Sequence, residues 1–173
     1  TSISMLTGLI PATAGDATVV LANGRRLSVR KDLYEVRRSI GVCPQHDVLY
    51  PELTGGEHLD LFAVLKGVID KRDRQETVDR QIGAVQLGAK RDTSSIALSG
   101  GQKRRLSVAI ALVGNSQFCF LDEPSSGMDP HARRVTWEML RKAKRGRTIV
   151  LTTHFMDEAD MSYGGDTGLL KSP

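Results

Sequence analysis

An α/β fold with a mostly parallel sheet, interrupted by an inserted helical block, is predicted by three observations. Short apolar runs at Ile40–Cys43, Phe118–Leu121 and Thr148–Thr153 have the length of strands, and read as strands buried on both faces of a parallel sheet. Helical patterns separate them, including a long block between the first run and the second. Each run delivers polar residues at its carboxyl end: Gln45, then Asp122 with Glu123, then His154. Open parallel sheets bind ligands at that end of their strands.

In order, Thr1 to Leu9 reads as a helix with Ile3 and Leu6 on one face, stopped by Gly8 and Pro11. Asp16 to Leu21 is strand-like, and Asn23-Gly24 signals a turn before Arg25-Arg26-Leu27. Lys31 to Arg38 is a short helix leading into the strand Ile40–Cys43, which ends at Pro44-Gln45. From Leu53 the period becomes helical, with Leu59, Leu61, Phe62, Leu65 and Val68 as an apolar stripe. Arg72 to Leu87 is a second, more polar helix, and the block Asp47 to Ile96 reads as an insertion between strands. A helix through Leu106 to Val113, the Phe118 strand, a helix near Pro130 to Lys144, the Thr148 strand and a helix from Phe155 to Met161 follow.

A length of 173 residues, with 40% apolar and 25% charged content, fits one domain with a sizeable core. The net charge of +4 is spread along the chain and aromatic content is 5%, which argues against nucleic acid as a partner. Cys43 and Cys119 fall in predicted buried strands with no His or Cys at zinc-ligand spacing, so both are expected to be reduced core residues. No apolar run approaches the ~20 residues that span a bilayer. A first residue that is Thr rather than Met makes a fragment the expectation.

The chemistry concentrates between Leu98 and Asp129. Ser99 is a good N-cap for a helix starting near Gln102, and Gly100 and Gly101 leave bare backbone amides for a ligand. Lys103, Arg104 and Arg105 then stand in the first turn, where the helix dipole disfavours cations. An anion docked on the helix N-terminus would explain them; a solvated basic face is the plainer alternative. Asp122 and Glu123 at a strand end suit a Mg²⁺ ligand followed by a base or water-orienting residue, although surface acids also end strands.

Together these residues resemble the ATP-binding cassette (ABC) ATPases. Leu98-Ser99-Gly100-Gly101-Gln102 matches the family's signature motif, Phe118–Glu123 its Walker B strand with the following glutamate, and Ser126-Gly127-Met128-Asp129 its D-loop. His46–Tyr50, Glu57-His58-Leu59, Leu65-Lys66-Gly67, Ser126–Pro130 and Thr152–Asp160 look like subfamily A, the lipid-exporting type. The resemblance implies a P-loop NTPase, RecA-like fold, with residues 1–46 and 115–173 as sheet core and 47–114 as a helical subdomain carrying the signature. It implies ATP and Mg²⁺ as cofactors, with Asp122 and Gln45 at the metal. Glu123, Gln45 and His154 are then the catalytic residues, acting on the attacking water and the γ-phosphate. Ser99, Gly100, Gly101, Gln102 and Asp129 contact nucleotide, the signature clamping ATP held by a second, head-to-tail cassette. Transmembrane domains and the cytoplasmic face of a membrane complete what the resemblance implies.

The chain departs from the family at both ends. It lacks the phosphate-binding loop G-x-x-x-x-G-K-[ST]; Thr1–Leu9 matches the helix that follows that loop. Gly83–Lys90 is a near miss, with its Lys displaced by one and no strand before it. The adenine-stacking aromatic is also missing. Thr167–Pro173 does not continue as the family's next apolar strand, so truncation at both ends is expected. The alternatives in function are a non-transport ABC ATPase of the translation or DNA-repair kind, or a module that has lost catalysis.

Overall fold

Three parallel strands, β3 (Ile40–Cys43), β4 (Phe118–Asp122) and β5 (Thr148–Thr152), lie side by side in that order. The computed structural model describes residues 2–114 and 116–153. The predicted helix Phe155–Met161, the departure at Thr167–Pro173 and His154 all lie outside the described residues.

Strand register follows from period two. Cys43, Cys119 and Leu121 point to one face and are buried in a cluster with Leu106, Ile110, Leu59 and Trp137. Val42, Phe118 and Phe120 point to the other face, partly buried beside Leu27, Val29, Val36 and Ile40. The strands are thus covered on both sides as expected, though less fully on the second. That thinner cover comes from a hairpin of β1 (Thr18–Val20) and β2 (Arg26–Ser28), closed at Gly24 with φ +80°, and from the short helix α2 (Leu33–Ser39).

The first face is covered by helices. After α1 (Ser2–Leu6), which ends where Gly8 turns to φ +70°, and α2, the chain builds α3 (Gly55–Leu65) and α4 (Lys71–Ala84). Thr54 and Glu57 form a reciprocal capping box that starts α3, and Asp70 caps α4 through the amides of Arg72 and Asp73. Helix α5 (Gly100–Leu112) packs on the sheet, and α6 (Pro130–Ala143) connects β4 to β5. At Gly41 the approach of α5 is so close that an added Cβ would stand 1.7 Å from the Ala111 carbonyl oxygen. Only glycine fits there.

His58, fully buried on α3, is fixed by two backbone partners. Its Nδ1 lies 2.8 Å from the Thr54 carbonyl, which can only accept, so Nδ1 carries the proton. Nε2 is then free to accept from the Tyr50 amide at 2.9 Å. This pins the loop between β3 and α3. Burial pushes the Cys43 thiol up to about 12 and raises that of Cys119, and both cysteines are free, as expected of core residues. Among the described residues no helix is long and apolar enough to cross a membrane.

Candidate active site at the carboxyl edge of the sheet

The parallel register aligns Cys43, Leu121 and Leu151 across the sheet, and Asp122 opposite Thr152. The residues leaving β3 and β4, Gln45 and the Asp122–Glu123 pair, therefore emerge from one edge. The Thr152 hydroxyl donates to Asp122 Oδ1, a contact that orients the carboxylate from the neighbouring strand. Sequence reasoning assigns Thr152 no contact with Asp122, because a Thr in a β-strand is ordinary.

Glu123 has φ +49°, in the left-handed region that costs a non-glycine residue of order 1–3 kcal/mol. Its backbone is held on both sides. The amide donates to the Thr152 carbonyl at 3.1 Å and to Thr152 Oγ1 at 3.2 Å, and the carbonyl accepts from Arg104 Nη2 at 2.9 Å and Nε at 3.2 Å. This conformation turns the chain sharply as it leaves β4 and sets the direction in which the side chain of Glu123 departs from that of Asp122. Such strain persists only where the surroundings enforce it, and it gathers at functional sites.

The signature segment folds as read, with its helix starting two residues earlier than expected. Ser99 is the N-cap, its Oγ accepting from the Gln102 amide at 3.3 Å while Gln102 Oε1 accepts from the Ser99 amide at 2.9 Å. The two polar side chains of the motif are thus engaged with the helix end. By helix geometry the amides of Gly100 and Gly101 lack intrahelical acceptors. A Cβ at either glycine would meet nothing within 4 Å, so no packing inside this chain demands glycine at these positions.

With the helix starting at Gly100, Arg104 and Arg105 lie beyond its first turn, and they have a different explanation from docked anion or solvated face. Arg104 is buried and aims inward, and Arg105 Nη1 donates to the Val85 carbonyl at 2.8 Å. Two of the three cations are committed to protein acceptors, which composition and spacing could not reveal. Asp129, expected near nucleotide, accepts from the amides of His131 and Ala132, both at 2.9 Å, as N-cap of α6. The Ala132 amide, aided by that of His131, holds its carboxyl below the usual aspartate range.

The donor set fits Mg²⁺. Asp122 and the side-chain amide oxygen of Gln45 are hard oxygen ligands, and Mg²⁺ takes one or two protein ligands together with substrate phosphates. Among the described residues no group of three or more His, Cys, Asp or Glu side chains gathers to hold a metal without such phosphates.

Known proteins share this chain's motifs and fold. A family model described as ABC transporter matches residues 1–126. The phospholipid-transporting ATPase ABCA3 of Rattus norvegicus is 47% identical over 161 residues, covering 93% of this chain and 9% of that protein. ATP-binding cassette sub-family A member 2 of Homo sapiens is 47% identical over 161 residues, 6% of its own length. ABC transporter A family member 2 of Dictyostelium discoideum is 46% identical over 166 residues, 10% of its length. The chain thus spans a tenth or less of each of these three curated relatives. Among solved structures, an ATP binding subunit of an ABC transporter superposes with TM-score 0.78 at 26% identity, over 92% of this chain and 64% of that one. The dimeric cassette MJ0796 shares the fold, with TM-score 0.77 at 24% identity, over 92% and 71% of the two chains. With sheet order, motif order and the match over residues 1–126 all in agreement, the chain belongs to the ABC transporter family.

Proposed function

We propose that this chain is part of the ATP-hydrolysing cassette of a subfamily A transporter that moves lipid across a membrane. The observation that carries the reading is the shared edge of β3 and β4, from which Gln45, Asp122 and the conformationally constrained Glu123 emerge together. The 47% identity to a phospholipid-transporting ATPase supports lipid as the transported class. Residues 1–46 and 115–173 form the sheet core and 47–114 the helical subdomain, a division supported by the position of α3, α4 and α5 between β3 and β4.

Asp122 and Gln45 would hold Mg²⁺, which when bound offsets charge on the nucleotide's phosphates. Thr152, through its hydroxyl, keeps Asp122 pointed at that position. Glu123 accepts a hydrogen bond from the attacking water and draws its proton away as the oxygen approaches phosphorus. Gln45 and His154 register the γ-phosphate. The helix end at Ser99–Gln102 faces the nucleotide of a second cassette, its bare amides at Gly100 and Gly101 directed at phosphate oxygens, with Asp129 at the same junction. Transmembrane domains receive the motion, which places the cassette on the cytoplasmic side.

Gly100→Asp tests this arrangement without disturbing the fold. The new side chain enters open space, and a carboxylate in a first helical turn is stabilising. Set against the opposing γ-phosphate, however, it repels like charge and should block closure of the pair. In the intact protein reconstituted in phospholipid vesicles, movement of a labelled phospholipid should require Mg-ATP and fall by ~100-fold in the variant, the scale of a few kcal/mol of repulsion. Nucleotide binding at the cassette's own phosphate loop should survive. Unchanged transport in the variant would contradict the signature's role across the pair.

A further inference from the structure

Arg104 is 3% exposed, yet it carries a full charge into the interior beside the edge where Asp122 and Glu123 emerge. Nη1 donates to the Pro44 carbonyl at 2.6 Å and to Asp47 Oδ1 at 3.1 Å. Nη2 donates to the carbonyl of Asp122 and, at 2.9 Å, to that of Glu123, which also accepts from Nε at 3.2 Å. All five guanidinium protons have an acceptor. Three segments therefore meet on one planar group: the signature helix that bears Arg104, the loop leaving β3 on both sides of Gln45, and the end of β4.

Burial is an unfavourable setting for a cation unless its charge and donors are matched. The contacts offset this by gathering strand-end carbonyl dipoles and one carboxylate around the charge. A lysine could not do the same, because an ammonium lacks the fork that spans acceptors on two separate strand ends. Glu123 is the residue of this edge whose backbone is left-handed, and the two sides of its constraint are Thr152 on β5 and Arg104 on α5.

We propose that Arg104 is the positioning residue of Glu123, holding its backbone in the left-handed turn and tying that turn to the loop that carries Gln45. This rests on the reading of Glu123 as the group that acts on the attacking water. Arg104 touches no substrate. It acts by fixing where the Glu123 carboxylate stands and by making a shift of the Pro44–Asp47 loop reach Glu123 through one rigid group.

The test is a double-mutant cycle on the intact protein, reading steady-state phosphate release and Mg-ATP affinity. Arg104→Lys should lower kcat by roughly tenfold to a hundredfold, the scale for a misplaced catalytic group, while KM and nucleotide affinity stay within about twofold. In the Glu123→Gln background the same substitution should cost less than about twofold more, because the residue it positions is already gone. An equal fractional loss in both backgrounds would overturn the proposal, since a general loosening of the fold multiplies. So would wild-type kcat in Arg104→Lys. If Glu123→Gln alone left turnover intact, the reading of Glu123 would fail, a result distinct from either of these. Should Arg104→Lys not fold, Asp47→Asn loosens the same network at one of the two Nη1 contacts. It should give a several-fold kcat loss that likewise vanishes in Glu123→Gln, and its persistence there would overturn the proposal.

Discussion

Glu123→Gln in the intact protein is expected to leave Mg-ATP bound and to lower turnover by ~100-fold or more, the scale for removing a positioned base. The substitution keeps the length and shape of the side chain but replaces an acceptor-only carboxylate with an amide that cannot take a proton. It does not touch the backbone contacts that hold this residue, from its amide to Thr152 and from Arg104 to its carbonyl. Gln meets the left-handed backbone with the same strain as Glu, so the folded state should be little altered. Steady-state phosphate release, run beside a nucleotide-binding assay, checks both halves of the expectation. Release near the wild-type rate would remove Glu123 from the chemistry.

Gly41→Ala is expected to be the most damaging small substitution in the sheet. Its Cβ would lie 1.7 Å from the Ala111 carbonyl oxygen and 2.7 Å from the carbonyl carbon, both backbone atoms of α5 that no rotamer change can move. The helix must lift from β3, opening the cluster that includes Leu106, Ile110 and Cys119 and pulling Arg104 away from Asp122 and Glu123. Overpacking a core costs typically 1–3 kcal/mol, and with backbone as the obstacle the loss should reach about 3 kcal/mol or more. Against a total stability of roughly 5–15 kcal/mol that is a large fraction. The midpoint of urea unfolding measures it. Ala111→Gly should not rescue the variant, because the obstacle is the carbonyl group and not the Ala111 side chain; a midpoint equal to wild type would show that α5 does not seat as closely as described.

The strands and most helices were legible because their signals are local. The apolar run Ile40–Cys43 coincides with β3, and Phe118–Leu121 falls one residue short of β4, since a run of apolar residues between breakers leaves little choice. Helix α5 starts before its sequence signal because its two glycines, poor helix formers, hide a first turn that Ser99 and Gln102 cap reciprocally. The polar residues at strand ends were legible for the same local reason. What the sequence could not show is long-range. Arg104 reads as surface charge until the sheet brings the Pro44 carbonyl, 60 residues away, within hydrogen-bonding distance. Thr152 meets Asp122 only because β5 lies beside β4, and the left-handed backbone of Glu123 has no signature in a residue type that seldom adopts it.

Whether the β3–β5 edge is one part of a composite nucleotide site is tested most directly by titrating Mg-ATP calorimetrically into residues 1–173. Affinity for the phosphates in this family of folds comes mainly from the backbone amides and lysine of a G-x-x-x-x-G-K-[ST] loop, which these residues do not contain. Gln45, Asp122 and Glu123 bring no positive charge, and Asp122 acts on a metal already bridged to phosphate. Binding no tighter than about millimolar, worth ~4 kcal/mol, is the predicted result. The same polypeptide with such a loop supplied ahead of Thr1 should bind at least tenfold more tightly, with circular dichroism verifying that both are folded. Micromolar binding by residues 1–173 alone would contradict this and place the phosphate site elsewhere in the chain.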